Sequence, residues 1–322
     1  MSRSNPGSTP TDPLDRSASE LVRRESEDLP GPGDHASSLV LGDQICRGLT
    51  RRYARTFYFA SHCLPGSVRP HAYAIYAFCR SADNAVDEAQ SLPDARQQIA
   101  QTRLDLNRVY AGAPVPPLYQ AFRRTVQEKA IPRDLFEALL DGMEMDLTIS
   151  RYATFADLDL YCYRVAGVVG LMMTHLFGYR SERCFPSAVA LGQAMQLTNI
   201  LRDIQEDLER DRIYLPQDEL AQFGVTEAAL AARQVDEPFH ELMRFQIARA
   251  RAAYTEAEAG IPDLIGHSSR LTVRVMGRLY GGILNAIERQ DYDVFRSRAR
   301  VSTPRKLVGL GQCLAREFAG KP

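Results

Sequence analysis

The side chains in this chain best suited to chemistry are oxygen donors set four residues apart. In the stretch Gln196 to Pro216, Asn199, Asp203 and Asp207 follow one another at i, i+4 and i+8. On an α-helix these positions lie on one face, one above the next. Arg202, Arg210 and Arg212 are close in sequence, but none interrupts that ladder. Hard oxygen donors of this kind suit a divalent cation such as Mg²⁺, which keeps several waters and shares itself with substrate phosphates. A lone DxxxD more often marks a solvated acidic face, so a second ladder is needed to shift the balance. Asp83 and Asp87 supply it, at i and i+4, with Arg80 and Tyr76 continuing the same stripe. Ile75, Phe78, Cys79 and Val86 mark the face of that helix that packs.

Two acidic ladders facing each other would repel unless cations neutralised them. The core of a helical bundle is a usual place for such a carboxylate-lined metal site. The ligand expected for the metals is a diphosphate, with Arg80, Arg202 and Arg55 as its charge partners. A di-iron carboxylate bundle would need two Glu-x-x-His pairs, and the chain has one, Glu237-Pro-Phe-His240.

The elements that must position these groups are helices. From about residue 40 onward the pattern is helical, interrupted by Leu64-Pro-Gly-Ser67, Ala113 to Pro117, Ile131-Pro132, Pro186, Pro216, Gly224 and Gly260-Ile-Pro262. Ser67 is expected to cap the helix that follows it, and Thr154 with Asp157 resembles a capping box. Thr303-Pro304 opens the last helix. No run alternates as strands do. The expectation is one all-α domain of about ten helices over 39–322. Residues 1–38, rich in Ser, Pro, Gly, Asp and Arg, read as a disordered tail.

Composition narrows the partners. At 45% hydrophobic and 25% charged the chain is an ordinary globular protein, and its net charge of −1 gives no general push toward nucleic acid. The six cysteines are scattered without CxxC, which argues against zinc and against a disulfide framework; Cys63, Cys79 and Cys162 read as small core residues. No transmembrane helix is expected, because the longest uncharged apolar run, Val165 to Met173, is about half of the ~20 residues needed. The first 40 residues hold seven acids and no apolar core, which argues against a signal or transit peptide and leaves a cytoplasmic location as the default.

Several motifs in order carry a family resemblance. They are Tyr53 to Tyr58, Ala74 to Arg80 with Asp83 to Asp87, Gly142 to Asp146, Tyr161 to Gly167, the stretch Gln196 to Leu220, and Asn285 to Tyr292. The chain resembles the squalene/phytoene synthase family, most closely its phytoene-forming members. One departure is Asn84, where an Asp often follows the first Asp.

The resemblance implies a prenyltransferase with the isoprenoid synthase fold, condensing two molecules of geranylgeranyl diphosphate head to head. It implies that Asp83, Asp87, Asn199, Asp203 and Asp207 hold Mg²⁺, with Mn²⁺ as a substitute. Arg80 and Tyr280 join these aspartates as catalytic residues. Tyr53, Ala54, Arg55, Thr56, Tyr76, Arg80, Gln196, Arg202 and Tyr280 match the family's substrate contacts, and Val165 to Met173 matches its tail tunnel. Tyr161, Phe57 and Tyr280 could present ring faces to a carbocation, with core packing as the equal alternative for Phe57. A phytoene-forming enzyme needs no nicotinamide cofactor. The rivals are squalene or dehydrosqualene synthesis from farnesyl diphosphate, an assembly factor of this fold without chemistry, and an all-α interaction domain. Long hydrocarbon substrates and product point to weak peripheral association with a membrane.

Overall fold

The structure, a computed structural model, describes residues 35–319. Residues 1–34 of the expected tail lie outside the described residues, and His35 to Ser38 already form the first turn of a helix. Fourteen α-helices follow, and ten of them have twelve residues or more. They are α1 His35–Tyr53, α2 Arg55–Ser61, α3 Arg69–Asp87, α4 Leu92–Ala111, α5 Pro117–Glu128, α6 Arg133–Met145 and α7 Phe155–Phe177. Then come α8 Phe185–Arg202, α9 Ile204–Leu208, α10 Gln217–Gln222, α11 Glu227–Ala231, α12 Glu237–Glu258, α13 His267–Arg289 and α14 Thr303–Ala319. Among the described residues only two isolated backbone bridges stand in for sheet.

The bundle has two main cores with a cavity between them. Phe78 of α3 packs face to face with Phe122 and edge-on to Phe136, centring the core formed with α1, α4, α5 and α6. Leu197, Ile200 and Leu201 of α8 pack with Leu242, Met243 and Ile247 of α12 and Leu284 and Ile287 of α13 to form the second core. Most positions of α3 are buried, including Ala74, Ala77, Ala82 and Ala85, which makes it a central helix of the bundle.

Local signals explain where the helices begin. Thr154 Oγ1 accepts the Asp157 backbone N–H and the Asp157 carboxylate accepts the Thr154 N–H, which completes the capping box. Ser67 does not cap α3. A turn closed by Val68 N–H on Pro65 O delays the helix, so Val68 takes the cap position without a side-chain bond.

Helix α7 departs from expectation in length. It runs unbroken for 23 residues, and an 18-residue window of it has a mean hydropathy of 1.3, long and apolar enough to cross a bilayer on those measures alone. An uncharged run is the wrong ruler for such a helix, because Arg164 breaks the run without breaking the helix. Here α7 lies in the bundle, between α6 and α8. It contains a π-helical turn at Tyr163–Gly167, with Val168 N–H bonded to Tyr163 O. Such turns often sit at functional sites.

Close approach between α7 and α8 depends on two glycines. A Cβ on Gly170 would overlap the carbonyl of Ala188, and one on Gly192 would overlap the carbonyl of Ala166. Backbone atoms cannot rotate away, so Gly192→Ala is expected to cost about 1–3 kcal/mol, read as a lowered midpoint in urea unfolding.

Candidate active site

The stretch carrying the first ladder does not fold as one straight helix. Helix α8 ends at Arg202, Asp203 has φ −106° and ψ 17°, and α9 restarts at Ile204. The ladder survives the break because Asp203 N–H bonds Asn199 O and Asp207 N–H bonds Asp203 O, both at 2.9 Å. The expected spacing is therefore kept by hydrogen bonds that carry the helical register through the kink.

The two ladders do face one another. Arg210 Nη1 donates to Asp87 Oδ2 at 3.1 Å, and Arg212 Nη1 stands 3.7 Å from Asp87 Oδ1. Asp83 feels the charges of Asp87, Asp146 and Arg210, and Asp207 feels those of Asp203 and Asp146. Burial, then Asp87, pushes the Asp83 carboxyl up to about 6, although its side chain keeps 41% of its accessible surface within the concavity. Burial, then Asp203, pushes Asp207 up to about 7.

Asp203 is the opposite case. Burial alone would raise its carboxyl, but Arg202 and Arg298 outweigh that effect and hold it below the usual range. Arg202 donates Nε and Nη2 to it at 2.7 and 2.5 Å, and Arg298 donates the same two groups at 2.8 and 2.7 Å. Arg80 Nη1 donates to Asp83 Oδ2 at 2.5 Å while its guanidinium lies 4.6 Å from the centre of the Tyr53 ring.

The expected ligands are not preassembled into a cage: no three His, Cys, Asp or Glu side chains among the described residues converge that way. Guanidinium groups fill the space between the carboxylates instead. The donor set still fits Mg²⁺, for it is all oxygen and brings carboxylates of two helices within reach of one another's charge. That ion needs few protein ligands when phosphate oxygens complete its shell.

Below the ladders lies a cavity of about 1240 Å³ including its mouth, lined mostly by apolar side chains. Tyr76, Gln196, Asn199 and Tyr280 mark its polar end. Val165, Ala166, Val169, Gly170 and Met173 line one wall, so the small-residue run of α7 does form part of the tunnel. Along α8 the lining runs from Asn199 to Ser187 and on to Cys184, about 22 Å at the rise of an α-helix. Phe57 lines the cavity with its ring 5.9 Å from that of Tyr76, and it also packs on the α3 core. Cys79 likewise lines the cavity rather than lying wholly in the core, and burial pushes its thiol up to about 12. Burial raises the phenols of Tyr76 and Tyr280, keeping both hydroxyls protonated.

The remaining expected contacts divide. Ala54 lines the cavity, Thr56 Oγ1 accepts from Lys306 Nζ at 3.4 Å, and Arg55 is exposed. Tyr161 lies elsewhere than a cation-facing role requires: it is buried in a stack with Tyr152 and Tyr214, outside the cavity lining. Its hydroxyl donates to Asp146 at 2.9 Å, and Tyr214 donates to the same carboxylate at 2.8 Å. Asn84 is buried with both side-chain polar atoms unpartnered, inside the bundle rather than on the ladder. An Asp there would add a buried charge.

The sequence reading missed Arg298 and left Asp146 open between a place near the diphosphate and a cap partner. Asp146 is half-buried and belongs to the acidic group through its influence on both ladders. Its only signal was the Gly142 to Asp146 motif. Arg298 comes 95 residues after its partner Asp203, with no spacing rule to link them. The Asp146 contact is built by backbone pairing, since Ile213 N–H bonds Ser150 O and Gln217 N–H bonds Tyr152 O, which carries Tyr214 to the acid. Tyr214→Phe and Tyr161→Phe should each cost about 1.5–3 kcal/mol, as hydrogen bonds to a charged group do. Because the two share one acceptor, urea unfolding of the double variant should depart from additivity.

A family model described as "Squalene/phytoene synthase" matches residues 50–305. The chain is 42% identical over 284 residues to a phytoene synthase of Arthrospira platensis, covering 83% of this chain and 90% of that one. It is 40% identical over 297 residues to a 15-cis-phytoene synthase of Synechococcus elongatus, covering 88% and 96%. Among solved structures, a dehydrosqualene synthase in complex with ligand superposes with a TM-score of 0.83 at 29% identity, covering 89% of this chain and all of that one. A squalene synthase of Alicyclobacillus acidocaldarius does so with a TM-score of 0.74 at 29% identity, over 80% and 96%. This chain belongs to the squalene/phytoene synthase family.

Proposed function

We propose that this chain is a prenyltransferase of the 15-cis-phytoene synthase type, converting two molecules of geranylgeranyl diphosphate into phytoene and two diphosphates. The observation that carries the reading is an apolar tunnel opening beneath two acidic ladders, in a chain about 40% identical to relatives named phytoene synthase. Identity to the squalene and dehydrosqualene synthase structures is lower, at 29%, which favours the C40 product over the C30 alternative.

Asp83, Asp87, Asn199, Asp203 and Asp207 would hold divalent cations, Mg²⁺ before Mn²⁺, against the diphosphates. When bound, Mg²⁺ neutralises the charge that develops on a leaving diphosphate. Arg80, Arg202 and Arg298 supply guanidinium donors around the same oxygens. The first diphosphate leaves with the C–O electron pair, and the allylic cation is attacked by a double bond of the second chain. Loss of a proton closes the cyclopropylcarbinyl diphosphate. Departure of the second diphosphate, ring rearrangement and loss of another proton give the central triene, with no reductant consumed. The apolar walls exclude water, which would otherwise quench each cation. Tyr76 and Tyr280 line the polar end of the tunnel, where an aromatic ring face would stabilise a cation formed beside it.

Incubation with geranylgeranyl diphosphate and Mg²⁺, with and without NADPH, should give the same C40 triene in both cases and none with EDTA. A C30 hydrocarbon alone would move the assignment to farnesyl diphosphate, and no hydrocarbon under any condition would overturn it. We also propose a cytoplasmic location with weak peripheral contact with a membrane, the contact because an insoluble hydrocarbon product must pass into a lipid phase.

A further inference from the structure

Helix α14 turns two faces in opposite directions. Toward α13 it buries Gly309, Cys313 and Glu317. The Glu317 carboxylate accepts from Arg270 at 2.8 Å and Arg274 at 3.3 Å and pairs with His267 at 2.8 Å. Leu310 and Cys313 pack with Leu271, Val275, Met276 and Leu279. These contacts fix the rotation of the helix, and the opposite face is apolar. Leu307 is 57% exposed, Val308 60% and Leu314 36%. With Gly311 and Ala315 they fill about a third of the circumference at 100° per residue. Phe318 extends the stripe at 49% exposure, although its ring also lies against His267.

Arginines of the same helix border this stripe. Arg305 and Arg316 flank it, and Arg316 also pairs with Glu258 of α12 at 3.1 Å. Between residues 296 and 319, besides Arg298, which binds Asp203, the cations are Arg296, Arg300, Arg305, Lys306 and Arg316, against a single acid, the buried Glu317. The chain's net charge of −1 hides this local excess.

We propose that the outer face of α14 docks on an anionic lipid surface, with the helix lying in the interface plane. A folded protein seldom leaves several large apolar side chains aligned in solvent without a partner for them. An apolar stripe edged by arginines and lacking exposed acids is the composition of an interfacial helix. The charge pattern also selects lipid over a second copy of the chain, since a two-fold contact would bring the basic edges together. The place suits the proposed chemistry, on which the purpose of the docking rests. Met276 packs beside α14 and lines the cavity, and Lys306 touches Thr56, two residues from the cavity-lining Ala54. Docking there sets the tunnel wall against the medium that takes up a hydrocarbon.

The test is co-sedimentation of the full chain with vesicles of phosphatidylcholine alone or with phosphatidylglycerol. Wild type should pellet with the anionic vesicles at least tenfold more than with the neutral ones, and less in high salt. The double variant Leu307→Asp/Val308→Asp should lose that binding with unchanged circular dichroism and unchanged turnover in detergent micelles. Arg305→Glu/Lys306→Glu should weaken it and remove the salt dependence. Equal pelleting of the double variant overturns the assignment to α14 while leaving membrane association standing. Absence of wild-type binding overturns both, and equal binding to neutral vesicles overturns the choice of anionic lipid. Hydrocarbon formation in micelles reports on the enzyme reading independently of every arm.

Discussion

Asp203→Asn is expected to lower the rate of diphosphate release by a factor of about 10² to 10³, the size seen when one preorganised electrostatic stabiliser is removed. The far-UV spectrum should not change, because the helical register through residue 203 is carried by backbone bonds to Asn199 and from Asp207. The amide keeps the shape but loses the charge that two arginines share. Arg202 and Arg298 both bind this carboxylate through two atoms, so the substitution also releases two guanidiniums from their set positions. Asp83→Asn should fall in the same range, since it removes the charge that pairs with Arg80 one turn earlier on α3. Glu206→Gln is the control. Its carboxylate stands 3.6 Å from Arg298 and is half exposed, so the change should be at most about fivefold, the reach of a surface ion pair. Steady-state release of diphosphate measures all three. Activity of Asp203→Asn near that of the control would show that the ladders take no part in turnover.

Ala188→Phe is expected to change which substrate the tunnel accepts. Ala188 lines the cavity eleven residues before Asn199, about 16 Å from the polar end along α8. A phenyl ring there would occupy space needed by the far end of a C20 tail while leaving room nearer the diphosphate. The ratio of kcat/KM for geranylgeranyl over farnesyl diphosphate should fall by about 10- to 100-fold, the discrimination available from apolar contacts. Parallel single-substrate assays give the ratio. An equal loss for both substrates would show that the tail does not reach this far. The backbone is not disturbed by the change, because the close contact with Gly170 is made by the Ala188 carbonyl and not by its side chain.

Much of this architecture can be read from the chain before any coordinates. The i, i+4 spacing of Asp83 with Asp87 and of Asn199 with Asp203 and Asp207 is a local property, and hydrogen bonds within five residues enforce it. The same holds for the capping box at Thr154 and for the small residues of α7 that line the tunnel. Helix ends were less legible. The kink at Asp203 and the late start of α3 are set by competing turns that differ little in local preference.

Pairings across the bundle are another matter. Nothing in the spacing of Arg298 announces that it binds Asp203, and nothing near Tyr161 shows that its hydroxyl is committed to Asp146. An aromatic in a helical pattern can face a cavity or a core with equal local cost, and only the packing of α7 against its neighbours chose. The exposed stripe of α14 follows the same logic, since a 3.6-residue apolar period states that a face exists but not which way it turns. The sequence by itself determined the helices, the two oxygen ladders and the family. The tertiary structure decided which carboxylates share guanidiniums and which rings line the tunnel. Those depend on contacts between residues far apart in the chain, whose geometry no local periodicity encodes.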